Sequence, residues 1–263
     1  MSDITWQRCR AHFRSLPSSL AKNGPSRIGG GNAWPQAKAM SKPQEENKDD
    51  PRRLDYYIES VKEGLPFNLP AGKIRIGELF SLISESLSEV LSGRLEIGAD
   101  LCSCDLRGPV QIGAGTKIHS NVAIEGPVWI GRECQIGHGA YLRPGTVLGD
   151  GCVIGHGTEI KNTFVYPGAK LQSLSFVGDS IIGNGTRIGS GTILANRRFD
   201  QGPIPFQTGE ERRDSERAFL GALIGDFTRI GAGSVLLPGS SFGPYWWLMP
   251  GMALGGWFPR AKR

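Results

Sequence analysis

No run in this chain approaches the roughly 20 consecutive apolar residues that a membrane-crossing helix requires. The opening residues also lack the apolar block of a secretory signal, so the expected location is the cytoplasm. The cysteines Cys9, Cys102, Cys104, Cys134 and Cys152 are odd in number and contain no C-x-x-C pair. That pattern argues against a disulfide framework or a zinc site and leaves packing as their expected role. Charge of one sign is scarce as well: 30 basic against 25 acidic residues give a net +5, spread along the sequence. Such an excess attracts small anions weakly, and no nucleic-acid-binding motif accompanies it.

The sequence divides into unequal parts. Residues 1–54 are rich in Ser, Pro, Gly, Asn and charge and end in SKPQEENKDDPRR, with too few apolar side chains to offset the entropy of ordering. A mobile polar arm is expected there. Residues 55–93 are expected to form a short helical segment, with one helix near 77–92 carried by Leu79, Phe80, Leu82, Ile83, Leu87, Val90 and Leu91. Pro66 and Pro70 interrupt the stretch before it.

A six-residue period then takes over. Leu106, Ile112, Ile118, Ile124, Ile130, Ile136, Leu142, Leu148, Ile154 and Ile160 follow one another without a miss. The phase returns at Ile182, Ile188 and Leu194, and again at Ile224, Ile230 and Leu236, so the two interruptions read as insertions. Two residues before each aliphatic site stands a small or β-branched one, from Val110 and Thr116 to Cys152 and Thr158, and both columns are expected to face inward. Glycine follows many of the aliphatic sites, as at Gly113, Gly131 and Gly155, where a side chain is expected to obstruct a tight corner. Three short strands make an eighteen-residue coil, and stacked coils lie about 4.8 Å apart. The expected fold is thus a mainly β parallel solenoid over residues 94–254, with a loop insertion at about 197–218 passing over a neighbouring face or lying free, and a tail at 255–263. The aromatic group Tyr245, Trp246, Trp247, Trp257 and Phe258 is expected to seal the last coils or a subunit interface.

Within the repeats, LRPGTVLGDG, GTEIKN, LSFVGDSIIGNGTRIGSGT and LANRRFD occur in an order and spacing that carry a resemblance. Over roughly residues 94–254 the chain resembles the hexapeptide-repeat acyltransferases. Among these it is most similar to the acetyltransferase domain of the bifunctional glucosamine-1-phosphate acetyltransferase/N-acetylglucosamine-1-phosphate uridyltransferases and their archaeal-type sugar-1-phosphate relatives. GPVWIG at 126–131 and GALIGD at 221–226 fit the latter. The resemblance implies a left-handed β-helix, a homotrimer, a role in nucleotide-sugar biosynthesis and acetyl-CoA as co-substrate, with no metal.

It also implies a site. The arginine of the L-R-P-G motif and the lysine eighteen residues later, which bind the sugar phosphate in that family, fall on Arg143 and Lys161. Their spacing independently puts two cations on adjacent coils of one wall, a suitable pair for an anion. A sugar-contacting asparagine corresponds to Asn196, a sugar-contacting tyrosine falls on Phe176, and a second asparagine falls on Arg187. The family's proton-accepting histidine falls on Ser173, and serine is no general base near neutrality, which costs roughly 100- to 10,000-fold in rate. His156, five residues before Lys161, is the candidate substitute. His138 and His156 are eighteen apart and expected to stack, with His119 elsewhere in the repeat; the H-x-x-x-x-H pair of the γ-class carbonic anhydrases is absent. Acetyl-CoA is expected by resemblance near Ser190, Ala232 and Pro250, with Arg212, Arg213, Arg217 and Arg229 within the range of residues that could meet its phosphates.

Two readings follow. One is acetyl-CoA-dependent N-acetylation of an amino sugar 1-phosphate such as glucosamine-1-phosphate. The other is a non-catalytic trimer that binds a sugar phosphate or nucleotide sugar, or serves as a scaffold for a protein partner gripping the N-terminal arm. Neither a membrane nor nucleic acid is an expected partner. The glycine-rich L-x-x-G-x-G-T-R loop of a nucleotidyltransferase domain is missing, so uridyl transfer is not expected.

Overall fold

The computed structural model describes residues 103–208 and 211–261 and, before them, 54–58, 80, 81, 85–87, 89, 91, 95–97, 100 and 101. Over these residues the six-residue period winds into a left-handed parallel β-helix. Three walls of nine, eight and eight short strands form a triangular prism, with a two-stranded hairpin beside it. The first wall runs from Leu95–Ile97 to Trp257–Phe258, the second from Asp100–Leu101 to Trp247–Leu248, and the third from Asp105–Arg107 to Ala253–Leu254. Among the described residues no helix is long and apolar enough to cross a membrane.

Both sequence columns point inward. Ile112, Ile118, Ile124, Ile130 and Ile136 are buried in one continuous core, and Val110, Thr116, Val122, Cys134 and Ala140 lie buried beside them. Each such aliphatic rung contributes ~1.5–3 kcal/mol through loss of exposed apolar surface. In the early coils Ala123 pairs with Tyr141 and Tyr141 with Glu159, the expected eighteen-residue register. The glycines after the aliphatic sites serve stacking more than turning. A Cβ on Gly155 would come within 2.3 Å of Ser173 N on the next coil, so the obstacle is the neighbouring coil rather than the corner.

The first interruption of the period is not an insertion. The chain stays in the helix, but the steps from Ile160 to Val165 and from Val177 to Ile182 are each one residue short, and these core residues are buried together with Leu171 between them. Register there falls to seventeen residues, as in Ile160 against Val177 and Val177 against Leu194. The cause is local: Asn162 (φ 44°) and Asp179 (φ 46°) turn their corners in the left-handed region, which Asn and Asp tolerate better than other side chains.

The second interruption is an insertion, and it lies over a wall. Pro205–Thr208 pairs antiparallel with Glu211–Asp214, while Ile204, Phe206 and Leu220 bury against Val147, Phe164, Ile181 and Leu223 on the outside of the first wall. The same cluster takes in Leu54, Tyr56, Tyr57, Ile58, Phe80, Leu87 and Leu91. From Val128–Ile130 to Ala222–Ile224 the first wall is therefore largely apolar on both faces and covered by its own chain. Of the predicted helix at 77–92, residues 80, 81, 85–87 and 89 are helical and 91 lies in a turn; the remainder fall outside the described residues, as does the polar arm through residue 53. At the far end Phe242 stacks on Phe258 at 4.3 Å and Trp246 meets Phe258 edge-on at 5.7 Å, closing the last coil.

Candidate functional site

The two cations of the L-R-P-G and GTEIKN motifs lie on the third wall. Tyr141 pairs with Glu159 and Leu142 with Ile160, and the Arg143 amide donates to the Ile160 carbonyl at 2.8 Å, so Arg143 stands beside Lys161 one coil on. Neither charge is unpaired. Arg143 meets Glu159 at 2.8 Å and Lys161 meets Asp179 at 3.7 Å. The pairs differ in setting: Arg143 and Glu159 are about one-third exposed, whereas the Asp179 side chain is 4% exposed. A partly exposed pair holds a carboxylate only weakly and can yield it to a competing anion. The Arg143 guanidinium also lies over the Tyr141 ring at 5.8 Å, and Glu125 as hydrogen-bond partner raises the pKa of that phenol.

Asp179 is the hub of the edge where the third wall turns into the first. Asn162 Nδ2 donates to its Oδ1 at 2.7 Å and Asn196 Nδ2 to its Oδ2 at 2.6 Å. These three residues form an Asn–Asp–Asn column over three successive coils, each seventeen residues from the next. Sequence reasoning missed Asp179 as a site residue, although that spacing was there to be read. Gly178 lies opposite Lys161 in the register and leaves room for the group. A Cβ there would stand 2.6 Å from Asn196 Nδ2 and 2.9 Å from Phe176 Cζ, which brings Phe176 and Asn196 together over one glycine. The end of the insertion reaches the same place: the Lys161 ammonium lies over the Phe219 ring at 4.4 Å, and Arg197 approaches that ring at 5.3 Å.

The remaining predicted residues, Arg187, Arg229 and the insertion arginines apart, occupy the opposite edge, where the second wall turns into the third. The Gly157 amide donates to the His138 carbonyl, Leu174 to His156, Gly191 to Ser173, Gly233 to Ser190 and Gly251 to Ala232. This pattern puts His138, His156, Ser173, Ser190, Ala232 and Pro250 in one column, one residue per coil. His156 Nδ1 lies 2.9 Å from the His138 carbonyl oxygen. A carbonyl can only accept, so Nδ1 carries the hydrogen, and in the neutral form of this exposed ring the lone pair is on Nε2. His119 sits one position earlier in the repeat than His138, yet the two rings meet. Its ring is 4.7 Å from that of His138, because it directly precedes Ser120, the residue that holds the same corner one coil earlier. Ser120 Oγ lies 2.8 Å from His138 Nδ1.

Lys161 and His156 therefore stand at opposite edges of one wall, separated by ~16 Å of backbone at ~3.3 Å per residue. Phe176 occupies the strand between them, in register with Glu159. Arg187 lies on the second wall between Lys170 and Arg229, away from the Asp179 group. Arg217 covers the Phe80 ring at 4.8 Å, and Arg212 and Arg213 belong to the hairpin. Among the described residues no three His, Cys, Asp or Glu side chains group as metal ligands.

Comparison with known proteins places this geometry in context. Residues 124–236 match the family described as the GMPPB C-terminal domain. A bifunctional sugar-1-phosphate nucleotidylyltransferase/acetyltransferase of Sulfurisphaera tokodaii is 40% identical over 93 residues, which is 35% of this chain and 23% of that protein. The chain thus spans less than a quarter of that relative's length. YaiX, a putative uncharacterized acetyltransferase of Escherichia coli, is 33% identical over 169 residues, covering 62% of this chain and 74% of YaiX. Among solved structures, a mutant of the GDP-perosamine N-acetyl transferase of Caulobacter crescentus, in complex with CoA and GDP-perosamine, aligns at 18% identity. That alignment covers 64% of this chain and 63% of the other with a TM-score of 0.26.

Proposed function

This chain belongs to the hexapeptide-repeat acetyltransferase family, and from that membership we propose that it moves an acetyl group from acetyl-CoA to the amine of an amino sugar 1-phosphate such as glucosamine-1-phosphate. The observation that carries the reading is the His156 imidazole, whose Nδ1 is tied to the His138 carbonyl at 2.9 Å. That bond fixes the tautomer and leaves Nε2 to accept a proton, one coil before Ser173. The amine nitrogen attacks the thioester carbonyl carbon, Nε2 takes the ammonium proton, and the C–S bond breaks to release CoA, which recovers a proton as the thiol.

The same reading assigns the other residues. Ser190, Ala232 and Pro250 continue the corner column beyond Ser173 with their side chains open to solvent, a path on which a pantetheine arm can lie against backbone. Arg143 and Lys161 receive the phosphate and Asn196 the sugar, while Phe176 offers a ring without the hydroxyl of the family's tyrosine. A trimer fits the surfaces: the first wall is covered by its own chain, whereas Ile193 and Leu237 on and beside the third wall remain 43% and 50% exposed. An exposed apolar strip of this kind suits contact with further copies.

A second reading draws on specific observations too. Arg143 and Lys161 each already hold a carboxylate, and by resemblance the family's histidine position falls on Ser173, both of which favour a trimer that binds a sugar phosphate or nucleotide sugar without reacting it. An assay for free CoA with acetyl-CoA and glucosamine-1-phosphate separates the two. Release above that of a Lys161→Ala variant is the outcome expected of the enzyme. Release equal to that variant, with thermal stabilisation by the sugar phosphate alone, would establish the binding protein instead.

A further inference from the structure

We infer that Asp179 is a positioning residue, which turns the Asn196 amide so that its carbonyl end, and not its NH2 end, faces the acceptor. The inference rests on the acceptor site proposed above and adds a residue and a hydrogen-bond polarity to it. Asparagine alone does not fix its own direction, since its two ends are nearly isosteric and either can face a ligand. Asp179 removes the choice. A carboxylate only accepts, so Asn196 must give it Nδ2, as it does at 2.6 Å, and Oδ1 is the end left over. Asn162 must do the same from the other side, at 2.7 Å.

The surroundings make this arrangement stiff. Asp179 is buried, and its own amide donates to the Lys161 carbonyl at 2.9 Å while its carbonyl accepts from Gly221 at 2.8 Å. The carboxylate therefore acts through Asn196 rather than by touching the acceptor. Gly178 supplies the space in which the Asn196 amide lies, 2.6 Å from where a Cβ would stand, and Phe176 closes the other side of that space. An amide held this way selects an acceptor that presents a hydrogen-bond donor at this point. A sugar hydroxyl or ammonium qualifies, and an ether or carbonyl oxygen does not.

Asp179→Asn tests the idea, because asparagine tolerates the φ of 46° at this corner and keeps the shape of the side chain. With an amide at position 179, one of the two flanking asparagines must turn or lose its bond. Calorimetry with glucosamine-1-phosphate and, separately, with CoA is the readout. The expected result is affinity for the sugar phosphate weakened about tenfold or more, with CoA affinity unchanged within about twofold. Adding Asn162→Asp to the variant restores a carboxylate to the column. The carboxylate now at position 162 accepts from the new amide at position 179, and the oxygen of that amide accepts from Asn196. The Asn196 carbonyl then faces outward again, so sugar-phosphate affinity is expected to return. Unchanged sugar-phosphate affinity in Asp179→Asn would overturn the inference, as would equal losses for both ligands in step with a lowered melting temperature. Should the single variant not fold, the double variant decides: native-like affinity supports the polarity argument and a tenfold loss removes it. Wild-type protein that fails to bind glucosamine-1-phosphate at all would instead remove the acceptor reading, and this inference with it.

Discussion

The His156 imidazole hangs from the His138 carbonyl by a 2.9 Å hydrogen bond that spans one coil of the solenoid. The partner is backbone, so the side chain at 138 is not required for the tether. Replacing His156 by alanine is expected to lower acetyl transfer by ~100- to 10,000-fold, the usual worth of a general base, with little change in KM for the sugar phosphate. His138→Ala is expected to cost far less. Equal losses in the two variants would show that His156 acts structurally rather than as the base.

Ser173 occupies the next rung of the same column, where the Gly191 amide donates to its carbonyl. Placing histidine there sets an imidazole where the proposed reading puts the family's base, without altering the corner, since the serine side chain is only partly buried. Ser173→His is expected to raise kcat by at least about tenfold if the remaining site is intact. Initial rates of CoA release compared with wild type give the answer, and no rise would indicate that the acceptor amine does not reach this edge.

The repeat made the solenoid legible rung by rung from Leu106 to Ile160, and it failed where two corners lost a residue. Asn162 and Asp179 carry that shortening, and a search restricted to multiples of six could not keep phase through them. The covered first wall was also within reach of the sequence. Its strands read VWI, TVL, FV, II and ALI, apolar at successive positions, while the second wall reads KI, QI, VI, KL and RI with mostly polar outer residues. Strands apolar on both faces announce cover on both faces. What no spacing revealed was how the cations would be compensated. That depends on side chains meeting across coils, as Arg143 does with Glu159 and Lys161 with Asp179.

Gly178 offers a test of the Asp179 group that leaves every polar residue in place. Alanine there would bring a methyl to within 2.6 Å of Asn196 Nδ2 and 2.9 Å of the Phe176 ring. Both side chains must move, and both are candidate acceptor contacts. Gly178→Ala is expected to weaken glucosamine-1-phosphate binding about tenfold, ~1.4 kcal/mol, as measured by calorimetry. Unchanged binding would mean that neither Phe176 nor Asn196 contacts the sugar.

Tyr57 ties the covering segment to the first wall. Its ring is fully buried, and its carbonyl accepts from the Asp226 amide at 2.9 Å. Burial raises the phenol pKa well above the usual tyrosine range, so the group stays neutral, yet its hydroxyl, which faces Ser241 and the Trp257 indole, makes no well-formed hydrogen bond. Ring and hydroxyl should therefore act in opposite directions. Removing the ring with Tyr57→Ala opens a cavity in the cluster that holds Phe164 and Leu223 and is expected to cost ~3–5 kcal/mol. Removing only the oxygen with Tyr57→Phe relieves an unpartnered polar atom and is expected to be neutral or to stabilise by up to ~1 kcal/mol. Urea unfolding midpoints for the two variants, compared with wild type, provide the check. A Tyr57→Phe variant destabilised as much as Tyr57→Ala would show that the hydroxyl holds the cover in place, through a bond that forms in solution.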